Sequence, residues 1–139
     1  MTTLKEIMTK DLTTVDGKTT LREVAQKMKA EDIGNVLIMD GDTLVGIVTD
    51  RDIVVRAVAD GKDTNAPVSE VATQDVFTMP CKTTVEEAAR AMAEKQLRRL
   101  PVTDTETGNI GGIVSLADLS TRTSGNADQK ALEGISQPG

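Results

Sequence analysis

A chain that spells nearly the same message twice, in the same order, is constrained to fold as two like units. Asp11-Leu12-Thr13-Thr14-Val15, followed by Lys18-Thr19-Thr20-Leu21-Arg22-Glu23-Val24-Ala25 and Met28, returns as Asp75-Val76-Phe77-Thr78-Met79, followed by Lys82-Thr83-Thr84-Val85-Glu86-Glu87-Ala88-Ala89 and Met92, at a constant offset of 64 positions. Gly46-Ile47-Val48-Thr49-Asp50-Arg51-Asp52 returns as Gly112-Ile113-Val114-Ser115-Leu116-Ala117-Asp118 at an offset of 66, the extra residues falling around Glu106 to Asn109. A unit of this size cannot easily bury an apolar face alone, so the two copies are expected to pack on each other as one module. Function is then to be sought where they meet.

Composition removes several classes of function. The 139 residues carry a net charge of −6 and no clustered basic tract, so long-range electrostatics oppose a nucleic-acid backbone. A single Phe, with no Tyr or Trp, leaves few platforms for stacking exposed bases. No apolar run is long enough to span a bilayer and the N-terminus lacks a basic segment followed by a hydrophobic one, so a soluble, cytoplasmic protein without membrane or nucleic-acid partners is expected. Histidine is absent and Cys81 is the lone cysteine, which removes the commonest general base, an intrachain disulfide and a thiolate cluster for metal. Cys81 falls between Pro80 and Lys82 in an expected loop and reads as a passive thiol.

Local patterns give each copy the same element order. After an amphipathic start from Leu4 to Met8, Leu12 to Val15 reads as a brief extended stretch. Thr19 or Thr20 can cap a helix with Glu23 near its positive end, and Leu21, Val24, Ala25, Met28 and Ile33 predict one core-directed face. Gly34 is the predicted stop, Val36 to Met39 a buried strand, Asp40-Gly41-Asp42 a turn, Leu44 to Thr49 the hairpin partner, and a second helix runs from Thr49 or Asp50 to about Ala59. The second copy predicts strand Val76 to Met79, helix Val85 to Glu94, strand Leu100 to Thr103, turn Asp104 to Asn109, strand Ile110 to Ser115 and a helix from about Ala117. Repeat 1 is set at 4–60, a polar, turn-rich linker at 61–67, repeat 2 at 68–123, and a tail at 124–139, with a small helix from Gln129 to Ile135 and no site.

Two β-α-β-β-α units, each closing on Gly, two apolar residues, Thr or Ser, two variable residues and Asp, resemble a tandem pair of cystathionine β-synthase (CBS) domains, often called a Bateman module. The resemblance covers about Leu4 to Arg122. It is strongest to small stand-alone bacterial pairs of the hypoxic response protein type, through Asp32-Ile33-Gly34, Thr49-Asp50-Arg51-Asp52-Ile53 and Arg98-Arg99-Leu100-Pro101-Val102. It implies an α/β (α+β) fold of two pseudo-symmetric repeats packed through their sheets. It also implies clefts that bind adenosine derivatives such as AMP, ADP, ATP or S-adenosylmethionine, with no required cofactor and no catalysis. A homodimer formed through helices and an effector protein of unknown identity complete the expectation.

Carried over residue by residue, Asp52 and Asp118 match the family's ribose-binding aspartate, and a carboxylate can accept hydrogen bonds from both hydroxyls of a vicinal diol. Thr49 and Ser115 match the hydroxyl residue at the start of the final helix, where free amides favour an anion. Both pairs also fit a helix capping box, a purely structural alternative compatible with ligand binding. The base-contacting segments correspond to Thr14, Val15 and Val36 in the first copy and Thr78, Met79, Leu100 and Pro101 in the second; these side chains equally suit ordinary core. Arg99 matches a phosphate-reaching basic residue, with Arg98 beside it. The first copy has Gly34 and Asn35 at those positions; Arg51 can restore a positive charge there or point to solvent, and the two clefts are expected to differ. The leading reading is therefore a regulatory module that binds an adenosine nucleotide. The alternative is an interaction protein that acts through dimerisation with vestigial clefts. An enzyme has no evident catalytic centre in this sequence.

Overall fold

Two three-stranded sheets, each with its own helices, realise the duplication in the computed structural model, which describes residues 1–120. The predicted tail 124–139, with its helix from Gln129 to Ile135, lies outside the described residues. In chain order the elements are α1 (Leu4–Ile7), β1 (Thr14–Val15), α2 (Leu21–Glu31), β2 (Asn35–Asp40), β3 (Thr43–Thr49) and α3 (Asp50–Asp52), then β4 (Met79–Pro80), α4 (Val85–Lys95), β5 (Arg99–Thr103), β6 (Ile110–Ser115) and α5 (Leu116–Ser120). In each sheet the first strand runs parallel to the second and the second antiparallel to the third, so both copies keep the β-α-β-β-α order.

The chain divides into two compact units whose boundaries differ from those of the sequence repeats. Unit 1 is Met1–Asp11 with the chain from Phe77 onward; unit 2 is Leu12–Val76. In unit 1, fully buried Leu4 joins Val85, Met92, Leu100 and Leu119 in one core, while its amide donates to the Thr83 carbonyl at 2.9 Å and Lys5 donates to that of Cys81 at 3.0 Å. In unit 2, fully buried Val68 packs with Leu21, Val24, Val36 and Val48, donates to the Thr19 carbonyl at 2.8 Å, and is followed by Ser69 donating to that of Gly17 at 3.2 Å. Leu4 and Val68, Lys5 and Ser69, Gly17 and Cys81, Thr19 and Thr83, Leu21 and Val85, and Val36 and Leu100 are pairs 64 positions apart, while Val48 matches Val114 and Ile53 matches Leu119 at 66. The arm that opens the first repeat thus closes the unit built from the second, and the segment after the linker closes the unit built from the first.

Within each unit, capping and apolar spacing explain the long helices. Thr20 and Thr84 accept hydrogen bonds from the Glu23 and Glu87 amides at 3.1 and 3.2 Å, satisfying a free donor in the first turn of α2 and α4. Val85, Ala88, Ala89 and Met92 form the buried stripe of α4. In α2 the stripe is Leu21, Val24 and Met28; Ala25, expected in the core, stands at the margin of these larger side chains and is exposed. The stop expected at Gly34 comes two residues earlier, where Asp32 adopts a left-handed conformation at φ 54°, as Gln96 does at φ 55° after α4. Those turns let Ile33 and Leu97 donate back to Met28 and Met92, at 3.0 and 2.9 Å. Gly34 serves packing instead, since a Cβ there would lie 3.3 Å from the Asp50 carboxylate.

Other expectations change in detail. The helix expected from Thr49 to Ala59 is a single α-turn that widens into π-helix over Ile53–Val58, as Ala59 and Lys62 donate five residues back to Val54 and Ala57, both at 2.9 Å. The strand expected from Val76 to Met79 pairs only at Met79–Pro80, after Asp75 turns the chain at φ 53°. Cys81 follows it in the expected turn before α4, as a 7 % exposed member of the unit 1 core with its sulfur 3.9 Å from the Thr105 hydroxyl. Among the described residues no helix is long and apolar enough to cross a membrane.

Candidate functional site

Strand pleating sorts the candidate residues onto two faces. In unit 2, Val36, Ile38 and Val48 point into the core and Val15 packs against it. Thr14 alternates with Val15, and the registers Thr14↔Leu37 and Asn35↔Thr49 then place Thr14, Leu37, Asn35 and Thr49 on the opposite face. In unit 1, Leu100, Val102 and Val114 point inward and Met79 packs with them, leaving Arg99, Pro101 and Ser115 on the other face, with Arg99 paired to Ser115. Thr78, adjacent to Met79, is half-buried. The side chains of Val15, Val36, Met79 and Leu100 therefore belong to the cores, and any contact they make with a ligand on the other face must be through backbone. Thr14 and Arg99 are placed to offer side chains, whereas Pro101, on the same face as Arg99, is buried.

At the same end of each sheet, the last strand runs into its short helix through a reciprocal cap. The Asp52 amide donates to the Thr49 hydroxyl at 3.1 Å while the Thr49 amide donates to Oδ2 of Asp52 at 2.9 Å. The Asp118 amide donates to the Ser115 hydroxyl at 3.1 Å while the Ser115 amide donates to Oδ2 of Asp118 at 3.2 Å. The structural alternative for both pairs is thus realised. A cap does not by itself exclude a second role, because a carboxylate can accept more than one hydrogen bond. Asp52 has a side chain 17 % exposed, with Oδ1 3.9 Å from a guanidinium nitrogen of Arg56. The other Arg56 nitrogen donates to the Val71 carbonyl at 3.1 Å, tying the helix to the segment that closes unit 2.

The two sites share a frame but differ in charge. The Thr13 hydroxyl donates to the Glu31 carboxylate at 2.6 Å, fastening the approach to β1 onto the end of α2. The equivalent pair in unit 1 is Phe77 and Lys95, whose ammonium lies 4.6 Å from the ring centroid. Arg99 donates to the Arg98 carbonyl at 3.2 Å, and Arg51 is exposed in the turn after Thr49. Asn35 was not among the predicted site residues, although it pairs with Thr49 on the same face. Its offset of 64 from Arg99 was the available signal.

Comparison with known proteins follows the duplication. The CBS domain model matches residues 4–58 and 68–124. The chain is 36 % identical over 137 residues to the CBS domain-containing protein YhcV of Bacillus subtilis, covering 98 % of this chain and 96 % of that one. It is 35 % identical over 140 residues to hypoxic response protein 1 of Mycobacterium tuberculosis, covering 99 % of this chain and 96 % of the relative. A crystal structure of hypoxic response protein I with two coordinated zinc ions matches at a TM-score of 0.76 and 36 % identity, over 88 % of this chain and 100 % of that one. The CBS domain pair of protein MJ0100, in complex with 5′-methylthioadenosine and S-adenosyl-L-methionine, matches at a TM-score of 0.77 and 28 % identity, over 88 % and 95 %. This chain has no histidine and one cysteine, and its described residues include no group of three side chains that could hold a metal ion.

Proposed function

Because the chain belongs to the CBS-domain family and carries that domain twice, we propose that it is a cytoplasmic, non-enzymatic sensor that binds an adenosine derivative and passes the signal to a separate effector protein. The observation that carries this reading is the duplicated end of each sheet, where a hydroxyl and a carboxylate (Thr49 with Asp52, Ser115 with Asp118) border a face carrying Thr14 or Arg99. Such a border offers carboxylate acceptors for a ribose diol and strand backbone for an adenine edge. The ligands of the MJ0100 pair, both adenosine derivatives, support the same class here. Binding can signal only if the ligand prefers one conformation of the protein over another.

Thermal unfolding of the purified chain with AMP, ADP, ATP, S-adenosylmethionine or 5′-methylthioadenosine tests the reading. At about a hundredfold excess over the dissociation constant, a bound compound is expected to add about 2.7 kcal/mol to the unfolding free energy. A flat response to all five would sink it.

A reading based on assembly has its own observation. Val54, Val55 and Val58 are 59 %, 46 % and 69 % exposed on the π-helical segment, an apolar stripe without cover among the described residues. We propose that this stripe contributes to a homodimer. Light scattering should give twice the chain mass for the wild type and the chain mass for Val58→Glu; a wild type that stays monomeric at high concentration rules the dimer out.

A further inference from the structure

The frame shared by the two sites is charged in opposite senses. Five aligned pairs flank it: Gly34 and Arg98, Asn35 and Arg99, Asp50 and Leu116, Arg51 and Ala117, Asp52 and Asp118. Among them unit 2 carries two acids and one base, where unit 1 carries two bases and one acid. The carboxylate of Asp50 leans over Gly34, so that a side chain at that position would meet it at 3.3 Å. In unit 1 the corresponding Leu116 is buried in the core. The positions are thus substituted in opposite directions on the same scaffold, as two differently selective sites require.

We propose that unit 1 selects a phosphate-bearing adenosine nucleotide and unit 2 an uncharged or cationic adenosine derivative. The inference rests on the adenosine reading above and adds the charge class to it. A nucleoside monophosphate brings between one and two negative charges at neutral pH. Near Arg99 these gain charge-assisted hydrogen bonds, whereas beside Asp50 they meet like charge. A sulfonium or neutral thioether in place of the phosphate removes that repulsion at unit 2 and forgoes the attraction at unit 1. Asp52 and Asp118 supply the common part, the acceptor for the sugar hydroxyls.

Calorimetric titration with AMP and with 5′-methylthioadenosine separates the sites. The wild type is expected to bind a single AMP per chain, with affinity falling as salt rises from about 0.05 to about 0.5 M. Arg99→Gln should weaken AMP by roughly tenfold to a hundredfold, and 5′-methylthioadenosine by less than about threefold. The paired change Asn35→Arg with Asp50→Asn should create a second AMP site. Both variants alter exposed or half-buried side chains, and their melting temperatures without ligand check that they fold. Two equivalent AMP sites in the wild type, or equal loss of both compounds in Arg99→Gln, would overturn the charge partition while leaving the adenosine reading intact. Failure of both compounds to bind the wild type removes that reading and the partition together.

Discussion

Leu4→Ala is expected to lower the unfolding free energy by about 2–5 kcal/mol, the range for truncating a fully buried large aliphatic side chain. Leu4 is 0 % exposed and surrounded by core residues drawn almost entirely from the second half of the chain. Truncation removes its own burial and leaves a cavity among Val85, Met92 and Leu100, which the short α1 segment cannot collapse to fill. The main-chain bonds from Leu4 and Lys5 to Thr83 and Cys81 remain available, so the loss measures packing. Denaturation in urea reads it directly. A loss below about 1 kcal/mol would mean that the N-terminal arm does not complete this core. Val68, 64 positions later and also 0 % exposed, has the corresponding place in unit 2.

Asp118→Asn is expected to reduce nucleotide affinity by roughly tenfold to a hundredfold while changing stability without ligand by less than about 1 kcal/mol. Its amide oxygen can still accept from the Ser115 amide, so the helix start keeps its cap. What it loses is the second carboxylate oxygen and the charge, which on the proposed reading accept from the sugar diol. Titration with AMP and melting of the unliganded variant separate the two roles. Unchanged affinity would reduce Asp118 to a capping residue. Lowered stability with unchanged affinity would establish that the Ser115–Asp118 box is structural alone.

Much of this was open to a reader of the sequence, because the signals are local. Thr20 and Thr84 stand three residues ahead of Glu23 and Glu87, and the stripes through Met28 and Met92 repeat at helical spacing, so α2 and α4 were legible within a residue or two. The hairpins were equally plain from Asp40-Gly41-Asp42 and the apolar runs beside it. The capping boxes, too, are written in a four-residue window. Less legible were places where backbone or burial depended on remote neighbours. Asp32 takes a left-handed turn that Gly34 was expected to supply, Ala25 is exposed where Ala89 is buried, and the turn at Cys81 is packed into a core.

The sequence by itself determined that there are two like units, their element order, and which residue pairs open the final helix of each, since repetition and capping need no knowledge of distant contacts. Only the tertiary structure decided which arm closes which unit. Leu4-Lys5-Glu6-Ile7-Met8-Thr9 and Val68-Ser69-Glu70-Val71-Ala72-Thr73 are themselves repeats, but nothing in either says whether its apolar side chains pack on the repeat that follows or on the other one. The fold also decided which candidates keep side chains for a ligand. Val36 and Leu100 face the cores whereas Asn35 and Arg99 do not, because alternation becomes a choice of face only once a sheet has a core on one side.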